Sequence, residues 1–142
     1  MARYGDRMSE LDFWVGDWDA EWDGGRGRNT VTRELGGRVY VERFRASDDE
    51  SFEGMSLSVR DDATGAWRQT WADSDGGYWA FVGGPQEDGT FVFGTPGPVD
   101  AEKVHKRMVF SDVTEDSFAW RWEFSADGSD WEQRWAIRYR RH

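Results

Sequence analysis

Along almost the whole chain apolar and polar residues alternate one by one, and this period of two restricts the fold more than any other feature. Successive side chains of a strand point to opposite faces, so such alternation marks a strand that is half buried and half solvated. Trp18, Ala20 and Trp22 alternate with Asp17, Asp19, Glu21 and Asp23 before Gly24-Gly25. From Asn29 to Leu35, Val31 and Leu35 stand against Thr30, Thr32 and Glu34, and Gly36-Gly37 reads as a tight hairpin turn. Arg38 to Ala46 carries Val39 and Val41 on one face and Tyr40, Glu42 and Phe44 on the other. Met55, Leu57 and Val59 follow, then the turn Asp61-Asp62-Ala63-Thr64-Gly65 and the shared face of Trp67, Gln69 and Trp71. Tyr78 to Val82, Thr90 to Gly94 and Lys103 to Phe110 also read as strands. Phe118, Trp120, Trp122 and Phe124 make the strongest apolar stripe, and Trp131, Gln133, Trp135, Ile137 and Tyr139 mark the last strand.

This pattern amounts to about ten strands at roughly 8–12 residue spacing, joined by short turns. It predicts an all-β chain, a single antiparallel up-and-down β-barrel spanning residues 1–142, because closing a meander removes its edges. The opening is the exception. Ser9 precedes Asp12 by three positions, and Leu11, Phe13, Trp14 and Val15 cluster, so a short helical turn ended by Gly16 is expected.

Charge narrows the partners. With 28 Asp and Glu against 18 Lys and Arg, the net charge of −10 argues against nucleic acid and anionic membranes. The absence of cysteine excludes disulfides and thiolate chemistry. Met1 to Glu10 is polar with no apolar centre, and no apolar run is long enough to cross a bilayer, so a cytoplasmic protein is expected. The acidic clusters Asp48-Asp49-Glu50 and Asp61-Asp62 read as solvated loops without calcium-loop spacing.

Leu11-Asp12-Phe13-Trp14-Val15-Gly16-Asp17-Trp18 resembles the start of bacterial lipocalin-like domains of unknown function. Thr64-Gly65-Ala66-Trp67-Arg68-Gln69-Thr70-Trp71, Arg107 and the ending around Ser125-Ala126-Asp127-Gly128, Trp131 and Arg138-Tyr139-Arg140 extend the resemblance over most of the chain. More broadly the chain is similar to the calycin group. That likeness implies a Trp packed across the closed end of the barrel with an Arg of the last strand over it, here Trp18 with Arg138 or Arg140. A haem-binding barrel similar to nitrobindin is a related possibility. Its glycine-rich opening is missing, since Ala20 and Glu21 occupy those positions, and only His105 and His142 are on offer as a late proximal histidine. No haem and no metal are expected.

The ten Trp, nine Phe and four Tyr can serve to close the core of so polar a chain, and the alternative is that several Trp wall a cavity. The near-repeat Trp67-x-Gln69-x-Trp71 and Trp131-x-Gln133-x-Trp135 sets each glutamine between two indoles on one strand face. A buried amide is costly unless hydrogen-bonded, so each either bonds its neighbours or is offered to a ligand. The expectation is a small-molecule binding barrel for an apolar or aromatic compound, lined by Trp67, Gln69, Trp71, Trp131, Gln133, Trp135 and Tyr40. The alternative is a cofactor-independent enzyme of cyclase, isomerase or hydratase type, with Glu42 or His105 as acid or base. Glu42 shares a face with Tyr40 and Phe44, whereas His105 opposes Met108 and Phe110 and faces outward if those two face in. A third reading is a homodimer whose surplus tryptophans form the interface.

Overall fold

The computed structural model describes residues 9–47 and 51–142; the opening residues 1–8 and the acidic run Asp48-Asp49-Glu50 lie outside the described residues. A 3-10 turn at Asp12–Trp14 leads into β1 (Gly16–Trp22), β2 (Gly25–Glu34), β3 (Val39–Ala46), β4 (Glu53–Arg60) and β5 (Trp67–Asp73). The chain continues through β6 (Tyr78–Pro85), β7 (Phe91–Gly94), β8 (His105–Ser111), β9 (Ser117–Ser125) and β10 (Glu132–Arg141). Every strand is antiparallel to the next, and β10 returns to pair with β1, so the ten strands form one closed up-and-down barrel. The expected all-β barrel is thus the observed one. Among the described residues no helix is long and apolar enough to cross a membrane.

Several strand limits differ from the sequence pattern, and two have a plain physical cause. β2 starts at Gly25 rather than Asn29 because Arg26 and Arg28 stand opposite Glu21 and Asp19 on β1, opposite charges on a solvated face. β8 starts at His105 rather than Lys103, since Lys103 has φ of +54° and leaves the extended conformation. Turn chemistry does the rest. At the β9–β10 turn the Asp127 carboxylate accepts the backbone N–H groups of Ser129 and Asp130, which hold its pKa down to about 2.

One end is closed by the 3-10 turn. Asp12 and Ser9 bracket it: the Ser9 N–H donates to Asp12 Oδ2 at 2.8 Å, and Ser9 Oγ accepts from the Leu11 N–H at 3.3 Å. Leu11, Trp14 and Trp18 are then fully buried. Trp18 donates its indole N–H to the Trp14 carbonyl at 2.8 Å and meets Phe118 edge to face at 4.7 Å. The cation over its ring is Arg141, with the guanidinium carbon 4.3 Å from the ring centroid. This corrects the expected Arg138 or Arg140. Those two face away from the interior, opposite Glu21 and Asp19, whereas Arg141 has the inward parity of Ile137 and Tyr139 and pairs with Trp18.

Arg141 also donates to the carbonyls of Val15 at 2.9 Å and Glu115 at 2.8 Å. Gly16 explains itself here: its φ is +145°, and a Cβ would land on the Arg141 guanidinium. Arg141→Ala is expected to cost about 1–3 kcal/mol, from the lost stacking and carbonyl contacts. Arg138→Ala should change stability by less than about 0.5 kcal/mol, as an exposed ladder residue does. Urea unfolding of the two variants checks the contrast.

Candidate functional site

Above the plug the interior is not filled. A cavity of about 240 Å³ runs from Trp14 towards the opposite end, where β3, β5, β9 and β10 contribute Phe44, Trp71, Phe124 and Trp135 near its mouth. An apolar cavity of about 150 Å³ holds one benzene ring, so there is room here for one or two rings.

The interior has two unlike sides. On β6 to β10 it is aromatic. Phe81 meets Trp122 edge to face at 5.8 Å, and Trp120 and Trp122 lie parallel, 2° apart in plane with centroids 6.4 Å apart. These two come from the stripe Phe118-Trp120-Trp122-Phe124, whose alternate residues all face in.

On β2 to β5 the interior carries polar groups, all buried: Asn29, Glu42, Ser56, Ser58 and Gln69. Asn29 Nδ2 donates to Glu42 Oε2 at 2.9 Å and Ser56 Oγ donates to Glu42 Oε1 at 2.7 Å. Gln69 Nε2 donates to Ser58 Oγ at 2.9 Å. Asn29 Oδ1, Gln69 Oε1 and the Trp67 indole N–H have no hydrogen-bond partner among the described residues, which is unusual for buried polar atoms.

Glu42 faces the cavity as its alternation with Phe44 implied. Burial pushes its carboxyl above the ordinary range, opposed by the hydrogen bonds from Ser56 and Asn29. Tyr139, on the facing part of β10, also lines the cavity and is buried against Phe118, stacked at 4.6 Å. Its phenol is pushed well up, first by burial and then by the charge of Glu42.

At the mouth, Lys106 of β8 turns inward. Its ammonium lies 4.0 Å from the Trp79 ring centroid and 4.5 Å from that of Phe124, and it pairs with Asp100 at 2.6 Å. The pairing lowers the Asp100 carboxyl below its ordinary value. The Trp71 indole N–H donates to Asp73 at 2.9 Å, and its ring covers Gly54, where any Cβ would overlap it.

The residues expected at the site are therefore only partly together. Trp71, Trp135 and Glu42 line the cavity. Trp67 and Gln69 face inward but lie lower on β5, towards the plug, where Trp67 packs between Tyr40 and Phe91. Tyr40 is not a lining residue either: its hydroxyl donates to Asp12 and pairs with Ser9, tying β3 to the 3-10 turn.

Trp131 and Gln133 are outside. The register shifts between Gln133 and Trp135, so Gln133 pairs with outward-facing Glu123 while Trp135 pairs with inward-facing Trp122. Gln133 is exposed, and Trp131 sits under the Arg107 guanidinium at 4.0 Å. His105 alternates with inward Lys106 and Met108, so it faces out, and His142 pairs with Asp19 on the outer surface. Neither histidine lines the cavity. Lys106 and Tyr139 were legible from parity with Met108 and Ile137, but no motif drew attention to them.

No protein-family model matches the chain, and no curated protein aligns with it.

A raised folded-state pKa means that folding takes up a proton between the unfolded and folded values. Stability is then greatest below about pH 4.5 as far as Glu42 is concerned, and declines as pH rises through its raised value. Glu42→Gln is expected to remove that decline, so its stability relative to the parent should grow with pH. Urea unfolding across this range checks it; a constant difference would contradict the assignment.

Proposed function

We propose that the barrel binds a small apolar or aromatic molecule of one or two rings, in the manner of calycin-type carriers. The observation that carries this reading is the cavity of about 240 Å³, walled by indole and phenyl rings with a few buried polar groups. Such walls suit flat apolar ligands, and convergent polar groups orient them. The net charge of −10 supports the expectation that nucleic acid and anionic membranes are not partners. A cytoplasmic setting and the absence of haem belong to the same reading.

An isomerase, cyclase or hydratase acting in this cavity is the second reading, and Glu42 favours it. A carboxyl facing the cavity, with its pKa shifted upward by burial, suits a role in proton transfer. His105, on the outer face, has no role in either reading.

Naphthalene is the simplest probe, and quenching of the cavity tryptophans is the readout. Ile137→Trp, which fills the cavity from β10, should weaken binding at least about tenfold. Gln133→Leu should leave it within about twofold, because that side chain is outside. Equal binding by Ile137→Trp, with its fold verified by circular dichroism, would place the ligand elsewhere.

A further inference from the structure

Aromatic walls account for affinity towards any flat apolar body. They do not account for the two polar groups at the inner end of the cavity. Tyr139 is 4% exposed and lines the cavity, yet its hydroxyl makes no hydrogen bond to another described residue. That leaves the phenol O–H free to hydrogen-bond with an occupant of the cavity. Glu42 lines the same cavity and is itself buried.

The groups around Glu42 determine which protonation state suits the site. From β2 it meets the Asn29 amide and from β4 the Ser56 hydroxyl, both neutral donors. Tyr139 of β10, another neutral group, lines the same cavity. Among the described lining residues the one cation is Lys106, whose ammonium is taken up by Asp100 and the rings of Trp79 and Phe124 at the mouth. Asp73, the remaining charged lining residue, accepts from Trp71 and from its own turn. Among the described residues no cation pairs with Glu42, and a buried carboxylate without a cation favours its neutral, O–H-bearing form. A carboxylic acid kept neutral in an apolar site can serve as a hydrogen-bond donor beside a tyrosine.

We propose that Tyr139 and Glu42 form a two-donor site for a carbonyl oxygen, so that the barrel's ligand is a small aromatic ketone, aldehyde or similar neutral carbonyl compound. This rests on the binding function proposed above and specifies the ligand's polar end. The ring system lies against the Trp120–Trp122 wall and the oxygen points to the inner end. An anionic ligand is disfavoured, since it would bring a second negative charge towards Glu42 while Lys106 is already paired. An ammonium ligand would require Glu42 ionised, and it would therefore bind better as pH rises, the opposite of a carbonyl ligand.

The experiment compares 2-acetylnaphthalene with 2-ethylnaphthalene, which has nearly the same shape but no oxygen, and with 1-(2-naphthyl)ethylamine. Binding is read by tryptophan quenching at acidic and alkaline pH. The ketone is expected to bind the parent protein about tenfold more tightly than the hydrocarbon, with the preference narrowing as pH rises. Tyr139→Phe should reduce the ketone-over-hydrocarbon preference to about threefold or less. Glu42→Gln, which retains an N–H donor, should keep the preference and lose its pH dependence. The infrared carbonyl band of the bound ketone should shift to lower frequency in the parent and less in Tyr139→Phe.

Equal affinity for ketone and hydrocarbon, or tighter binding of the amine, would overturn the two-donor site while leaving the aromatic cavity as a binding site. An undiminished preference in Tyr139→Phe would overturn it as well. Failure of all three probes to bind would overturn both proposals.

Discussion

Pairing of β1 with β10 is the constraint on which the remainder of the molecule depends. A sheet joined to itself has no edge, and each strand must commit one face to an interior of fixed girth. Ten strands enclose more space than their inward side chains fill. The 3-10 turn, Trp18 and Arg141 take up one end of that space, and what remains is the cavity. Plug and cavity are thus two parts of one packing problem. The large aromatics fill and stiffen the aromatic side, where edge-to-face contacts such as Trp22–Trp135 at 5.4 Å and Trp120–Trp135 at 5.5 Å hold the ring orientations.

The polar groups that hydrogen-bond one another inside the barrel come from consecutive strands. Asn29, Glu42, Ser56, Ser58 and Gln69 lie on β2 to β5, and cross-strand pairing brings Glu42 to Ser56 and Ser58 to Gln69. That arrangement lets them satisfy one another in part, while the aromatic side carries only Lys106 and the Tyr139 hydroxyl among the polar lining groups described. A ligand in such a cavity is oriented by asymmetry before any single hydrogen bond forms.

Alternation made the strands and most inward faces legible in the sequence, because every strand buries one face and wets the other. It correctly put Glu42 inside and, given Met108, His105 outside. Two kinds of information were not there to be read. Height along the barrel axis is one: Trp67 and Trp71 share a face, but Trp67 packs near the plug and Trp71 near the mouth, since parity says nothing of depth. A change of parity within a strand is the other. The irregularity between Gln133 and Trp135 inverts the side occupied by Trp131 and Gln133, and no glycine or proline there announces it. The same limit governed the choice among Arg138, Arg140 and Arg141. Only the register against β1 shows that Arg141 lies beside Trp18.

The seam between β1 and β10 also has a consequence in time. Arg141 and Val15, joined across the closed end, are 126 positions apart in the chain. Contacts of such separation form late, after the loop-closure entropy of everything between them has been met. On a ribosome, β1 to β9 would emerge as an open curl, with the indoles of β9 and the free edge of β1 accessible to other chains. The strand that supplies Arg141 is therefore also the one that ends this exposure.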